Sequence, residues 1–181
     1  ASDVYKRQLI RSQLWPKPVQ IPHPPIWLGG FGYKLMTSLL KYVEGWLPPS
    51  LTPEEYARRI PLVDASAVER GKPIEMALEC YTSISSNYDL ALERCDESIR
   101  AFTGQSAEHV ARFGVPIRLT KKGEEVRLGM VIGAPEDCIE RLEKYLKLGV
   151  KHFILHFFPT SLAPEEIKLY AEKVIPYLKG E

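Results

Sequence analysis

The sequence has no charge bias of either sign. Its 181 residues carry 24 basic and 23 acidic side chains, so they offer little positive surface to nucleic acid or to an anionic membrane. No apolar run approaches the ~20 residues of a membrane span, and no signal peptide is visible. Paired cysteines are missing too. Cys80, Cys95 and Cys138 are far apart and odd in number, matching neither a zinc spacing nor a disulfide framework. No metal site is expected, and reduced thiols of this kind point to the cytoplasm. Tandem repeats and low-complexity tracts are also lacking. What remains is a chain with 45% apolar residues, long enough for one domain with a sizeable core.

The first eight residues, "ASDVYKRQ", have no cap and no periodicity. They resemble a translated linker or assembly scar, the alternative being an ordinary frayed terminus. Residues 9–181 are therefore treated as one domain.

Five prolines between Trp15 and Pro25 exclude a helix and predict an extended surface crossing. Ile26 to Leu28 reads as a short buried strand ended by glycine. From Lys34 the pattern turns helical, with Leu35, Leu39 and Val43 on one face, Leu40 and Tyr42 nearby, and Gly45 as a stop. Thr52-Pro53-Glu54-Glu55 is a capping box with proline at the first helical position, predicting a helix to Arg70 with Gly71 after its end. Ile74 to Ser83 reads as a core strand, and Tyr88 to Phe113 as helix in two pieces broken at Thr103-Gly104. The polar stretch 120–129 reads as a surface loop or hairpin. Pro135 to Leu148 is expected as a helix with Ile139, Leu142 and Leu146 inward, ended by Gly149. Val150 to Phe158 is expected as a strand. Pro164 to Lys179 is expected as a closing helix with Ile167, Ala171, Val174 and Leu178 inward, bent or ended early by Pro176. Three strand-plus-helix units in alternation imply an α/β fold with parallel strands.

Within this order the stretch "PPIWLGGFGYK", residues 24–34, stands out. In parallel α/β folds ligands sit beyond the carboxyl ends of the strands. A helix beginning there offers unpaired amides and a dipole that favour an anion. Gly29, Gly30 and Gly32 let the backbone approach a phosphate, and Lys34 adds charge. The spacing matches neither the dinucleotide fingerprint nor the P-loop, and a tight turn without a ligand is the competing reading.

"KPVQIPHPPIWLGGFGYK" followed by "YVEGW" closely resembles a segment of the bacterial luciferase-like flavin and deazaflavin oxidoreductases. Their usual form is a proline-rich lead, "PPIWIGG", a glycine turn, a helix and "ADGW". "LTPEEYARRI", "GAPEDCIERLEKYLKLGVKHFIL" and "PEEIKLYAEKVIPYL" resemble later segments of the family in the same order. The resemblance implies a (β/α)8 TIM barrel, of which this chain would be the carboxy-terminal portion, since a complete barrel needs about 250 residues. It implies FMN or coenzyme F420, a deazaflavin, as cofactor. Gly29, Gly30, Phe31, Gly32, Tyr33 and Lys34 would lie near its phosphate. It also implies hydride transfer between flavin and a small organic substrate, in a monooxygenase or reductase, and often a homodimer. "GGFGYK" is nearer to the "GGGGEK" of deazaflavin users, with Tyr33 where an acidic residue is usual. Glu44 departs from the shorter acid of "ADGW", a change expected to touch packing.

Catalytic candidates are few. His152 and His156 share one face of a strand, with His156 nearer its carboxyl end, where it would reach flavin or substrate. The competing reading is a hydrogen-bonded core or rim histidine. Glu79 shares a face with Tyr81, and burial would suit it to acid–base work. The competing reading pairs it with a cation from another strand. His23 is expected at the surface, and Trp27 and Trp46 in packing. Two other functions stay open. One is a non-redox barrel enzyme whose glycine turn holds a phosphorylated substrate. The other is a catalytically inactive truncated barrel that acts only by association.

Overall fold

A computed structural model describes residues 15–103 and 129–180, with side chains placed to Cys95 and from Gly129 onward, and the backbone of two short segments before them. Those segments, β1 (Ser2–Asp3) and β2 (Gln8–Leu9), pair antiparallel. The proline-rich stretch from Trp15 to Pro25 is exposed and forms neither helix nor strand, because proline fixes φ and removes amide donors. The second half of the expected helix 88–113 and nearly all of the expected loop 120–129 lie outside the described residues.

Parallel strands alternate with helices, as expected, but among the described residues the sheet has five strands rather than three. They are β3 (Trp27–Gly29), β4 (Gly45–Leu47), β5 (Glu75–Ile84), β6 (Val131–Gly133) and β7 (His152–Phe157). β3 pairs with β4, and β4 with the start of β5. β7 runs along β5 from Ala77 to Thr82. β6 pairs with Thr82 to Ile84. Thr82 is in register with both Val131 and Phe157, so β6 and β7 flank β5 on opposite sides. The Glu79 amide donates to Pro48 O and the Ser85 amide to Gly133 O. Residues an even number apart face the same edge, so β6 continues that edge where β4 ends.

The two missed strands are three residues each, too short to show a period. Gly45 opens β4 and does not stop a helix. A Cβ there would overlap the Trp27 indole, so glycine is required by the approach of β3's side chain. β3 is not buried as expected: Ile26 and Trp27 are exposed, and only Leu28 turns toward the core. Glu44 does more than pack. Its Oε2 accepts from the Ile26 amide at 2.7 Å and its Oε1 pairs with Arg70, tying the amino end of β3 to the helix before β5. That amide bond, ahead of the Arg70 charge, holds the Glu44 carboxyl below its ordinary range.

Helix α1 (Tyr33–Leu39) ends in a 3-10 turn over Leu40–Tyr42. Met36 is buried, and so are Leu40 and, as expected, Val43, while the expected Leu35 and Leu39 stay partly exposed. The Thr52 capping box forms with both reciprocal bonds, but the helix breaks at Arg58–Arg59 into α2 (Pro53–Ala57) and α3 (Ile60–Arg70). Pro61, which has no amide hydrogen for the preceding turn, accounts for the break. Gly71 takes the left-handed conformation after α3, φ 71°. α4 spans Tyr88–Thr103.

α5 (Pro135–Lys147) buries Cys138, Leu142 and Tyr145, while the expected Leu146 is exposed. The closing helix is α6 (Ala163–Leu169), a π segment over Tyr170–Val174 and α7 (Ile175–Lys179). The wide turn precedes Pro176, whose ring cannot sit against the carbonyl four residues back. Glu166, Tyr170 and Val174 face inward; Ile167 and Ala171 do not.

The helices cover one face of the sheet. Leu28, Trp46, Leu78, Cys80, Ile84 and Val131 point into that core, where Trp46 packs on Tyr56 and Tyr56 on Tyr145. Their hydroxyls are satisfied: Tyr56 donates to Ala77 O and Tyr145 to Leu51 O. The other face carries Trp27, Glu75, Glu79, Tyr81, His152, Ile154 and His156, and among the described residues it is largely open.

Candidate functional site

The glycine turn leaves the carboxyl end of β3. Gly29 is level with Leu47 at the end of β4, and Pro49 just beyond is level with Glu79. The turn, the end of β4 and Glu79 therefore lie at one height on the sheet. With strands spaced about 4.8 Å, a ligand reaching from the turn to β5 or β7 spans about 10–15 Å.

Within the turn, Gly30 sits at φ 98°, a conformation that side chains rarely adopt, and a Cβ there would also crowd Leu35 Cδ2 at 3.0 Å. A Cβ at Gly29 would meet nothing within 4 Å, so its outer side is open space. The bonds that fix the turn fall on its carbonyls. Gly30 O accepts from Trp46 Nε1 at 2.8 Å, Phe31 O from Arg59 Nε at 3.0 Å, and Gly32 O from the Met36 amide at 3.0 Å. Gly32 is the N-cap of α1 and contributes no side-chain cap. Tyr33 and Lys34 are exposed beside it. The backbone of the turn is thus held through its carbonyls.

His156 and Glu79, singled out separately in the sequence, are brought together. Parallel pairing places Tyr81 opposite His156. His156 Nε2 lies 2.8 Å from Glu79 Oε1, with both side chains partly open to solvent. The Tyr81 ring lies 5.4 Å from the imidazole and packs edge-on against Phe158. The carboxylate fixes the imidazole's orientation and leaves Nδ1 for another partner. His152 repeats the arrangement nearer the amino end, 2.9 Å from Glu75 Oε2, with Trp27 edge-on at 5.6 Å. Both pairs follow from one register, in which residues two apart share a face. His23 lies at the exposed crossing and contacts Pro24 O.

Sequence reasoning missed Glu166. This carboxyl is 1% exposed. Its Oε1 lies 3.4 Å from Ser83 Oγ, and its Oε2 has no protein partner among the described residues. The Ser83 hydroxyl has one proton and a shorter bond to Ala91 O, at 3.0 Å. A protonated Glu166 would donate to that Oγ, so the geometry favours the neutral acid. Burial raises its pKa to about 7, opposed by the Ile84 amide, Ser83 and Arg94 and reinforced by Glu165. Burial likewise pushes the Cys80 and Cys138 thiols up to about 12, leaving them unreactive.

Among the described residues no cluster of histidine, cysteine and carboxylates is arranged to hold a metal ion, and no helix is long and apolar enough to cross a membrane.

The chain is 24% identical over 166 residues to an F420-dependent glucose-6-phosphate dehydrogenase of Microbacterium testaceum, covering 86% of this chain and 48% of that protein. It superposes on an F420-dependent secondary alcohol dehydrogenase, in complex with an F420-acetone adduct, with a TM-score of 0.69. That match has 21% identity and covers 93% of this chain and 52% of the other. The FMN complex of the oxygenating constituent of 3,6-diketocamphane monooxygenase from Pseudomonas putida gives a TM-score of 0.64. Its identity is 16%, over 85% of this chain and 49% of the other. The chain therefore spans about half the length of the relatives it matches, and its sheet is part of their (β/α)8 barrel. The model of one family, luciferase-like monooxygenase, matches residues 4–152, most of the chain. The chain belongs to the luciferase-like monooxygenase family.

Proposed function

We propose that this chain is the carboxy-terminal part of a flavin- or deazaflavin-dependent oxidoreductase that moves hydride between the cofactor and a small organic substrate. Gly29, Gly30, Phe31, Gly32, Tyr33 and Lys34 hold the cofactor phosphate. The observation that carries this reading is the turn itself, at the carboxyl end of a parallel strand, with its carbonyls tied back and its outer side open. Its backbone suits an anion and needs no cationic side chain beyond Lys34. FMN or coenzyme F420 supplies the hydride chemistry when bound.

His156 is the acid–base candidate on the substrate side, and Glu79 is its positioning residue. Glu79 holds the imidazole through Nε2, so Nδ1 is the atom left to take or give a proton. The open sheet face around it would be closed by strands of the longer barrel, which would also exclude water from the reacting groups. On this reading the isolated chain binds flavin weakly and does not turn over substrate.

Titration of the purified chain with FMN and with coenzyme F420, followed by fluorescence quenching, tests the reading. Quenching that saturates with either cofactor is expected. A chain that forms a stable oligomer and ignores both would support the association-only alternative. Binding of inorganic phosphate without either flavin would support a non-redox barrel enzyme. In the longer enzyme, His156→Gln is expected to lower kcat by about 10²-fold with flavin affinity unchanged. An unchanged kcat would remove His156 from the chemistry.

A further inference from the structure

A cleft of about 390 Å³ lies at the amino end of the sheet, away from the glycine turn. Its walls lead into three strands. Pro22 and Pro25 precede β3, and Glu44 precedes β4. Arg70 ends α3, and Lys72 follows it on the way to β5. Lys41 and Tyr42 come from the 3-10 turn after α1. The cleft shares no lining residue with the glycine turn or the His156–Glu79 pair.

We propose that this cleft is a second small-molecule site, which takes an organic anion: a phosphate or carboxylate head on a flat apolar body. The proposal does not depend on the cofactor reading, which concerns the opposite end of the strands.

Lys41, Arg70 and Lys72 line the cleft against a single carboxylate, Glu44, in a chain whose charges nearly cancel. That carboxylate is already engaged, since Oε2 accepts from the Ile26 amide at 2.7 Å and Oε1 pairs with Arg70. The Arg70 side chain is only 16% exposed. Its Nη1 donates to Pro73 O at 3.2 Å and its Nη2 to Glu44. These bonds fix the guanidinium and leave further N–H donors of the fork without a partner among the described residues. A fixed fork with donors to spare suits the paired oxygens of a carboxylate or phosphate. Lys41 is steered as well, by Glu69 at 2.8 Å, and its Nζ lies 5.4 Å from the Tyr42 ring centroid. Charge and ring therefore stand side by side. Among the described residues no carboxylate pairs with Lys72, which is left to meet a ligand's charge. His23 also lines the cleft, its Nδ1 donating to Pro24 O at 2.8 Å. Tyr42 is 65% exposed and, with Pro22 and Pro25, offers apolar surface for a flat body to lie on. The volume falls in the usual range of small-molecule sites and exceeds what an inorganic ion needs. The cleft is open, so its charge contacts are weak and sensitive to salt.

Heteronuclear NMR of the 181-residue chain, titrated at low salt with phenyl phosphate, benzoate and inorganic phosphate, tests this. Phenyl phosphate is expected to shift the amides of Tyr42, Glu44, Arg70 and Lys72 saturably. It should bind about 3- to 10-fold tighter than inorganic phosphate and lose most of its affinity at high salt. Saturation by benzoate at the same amides supports a carboxylate head as well, and a silent benzoate with phenyl phosphate bound supports a phosphate ester. Lys72→Glu is expected to weaken phenyl phosphate binding about 5-fold with the rest of the spectrum unchanged, and Lys72→Arg to keep it. No saturable shift at the four amides with either organic probe would overturn the proposal. So would inorganic phosphate binding as tightly as phenyl phosphate, or a Lys72→Glu chain with unchanged affinity. Shifts confined to Gly29 through Lys34 would overturn it and leave the cofactor reading standing.

Discussion

Glu166 sets the sharpest expectation at the scale of single residues. A carboxyl buried in the core resists ionisation, and Ser83 Oγ lies within reach of its proton. With an ordinary value of 4.5 raised to about 7, both folded and unfolded states hold the proton at low pH. As pH rises from 4.5 to 7 the unfolded chain releases it first, so stability falls, and above 7 the loss is complete. The drop should be on the order of 3 kcal/mol, and Glu166→Gln should remove it. Urea denaturation at pH 5 and pH 8 measures this. Equal stability of the wild-type chain at both pH values would mean that the carboxyl finds a partner when ionised. No sequence signal marks this residue, because a glutamate near a helix start normally faces water and favours the dipole. Only the register of α6 turns it inward. His156 and Glu79 were legible as separate candidates, since even spacing put each on a strand face. Their contact was not, because 77 residues separate them and the pairing of β7 with β5 cannot be read from either strand alone.

At the scale of elements, the well-signed ones were legible and two of the short strands, β4 and β6, were not. The Thr52 capping box names its own hydrogen bonds in the sequence, and the structure makes both. Thr52→Ala should cost about 1 kcal/mol by chemical denaturation, and a null effect would show that Pro53 and Glu55 suffice to start the helix. The helical faces were partly legible: Val43, Leu142 and Val174 are buried as expected, while Leu35, Leu39, Leu146, Ile167 and Ala171 are exposed. Each helix carries apolar residues on more than one stripe, and only packing chooses among them: Met36 over Leu35, Tyr145 over Leu146, Tyr170 over Ala171. β4 was hidden because it opens on glycine. Gly45 is small so that Trp27 of β3 can lie across it. Gly45→Ala should therefore cost about 2–4 kcal/mol, read from the same denaturation curves. A change below 0.5 kcal/mol would mean that the indole swings away freely.

At the scale of the molecule, the described residues seal one face of the sheet with helices and leave the other with Trp27, Ile154 and two histidine–glutamate pairs. Parallel sheets are normally covered on both sides. Alternation of strands and helices made the α/β class legible, and the order of family-like segments made the barrel legible. The coverage of about half of each relative agrees with an open inner face. The cofactor reading rests on the idea that the turn from Gly29 to Lys34 grips a phosphate. The most direct measurement compares FMN with riboflavin, which differs only in lacking that group, by titration of wild type and of Gly30→Val. The account predicts FMN binding at least about tenfold tighter than riboflavin in wild type, a difference lost when a branched side chain occupies the left-handed position. Equal affinity of the two flavins for the wild-type chain would contradict it.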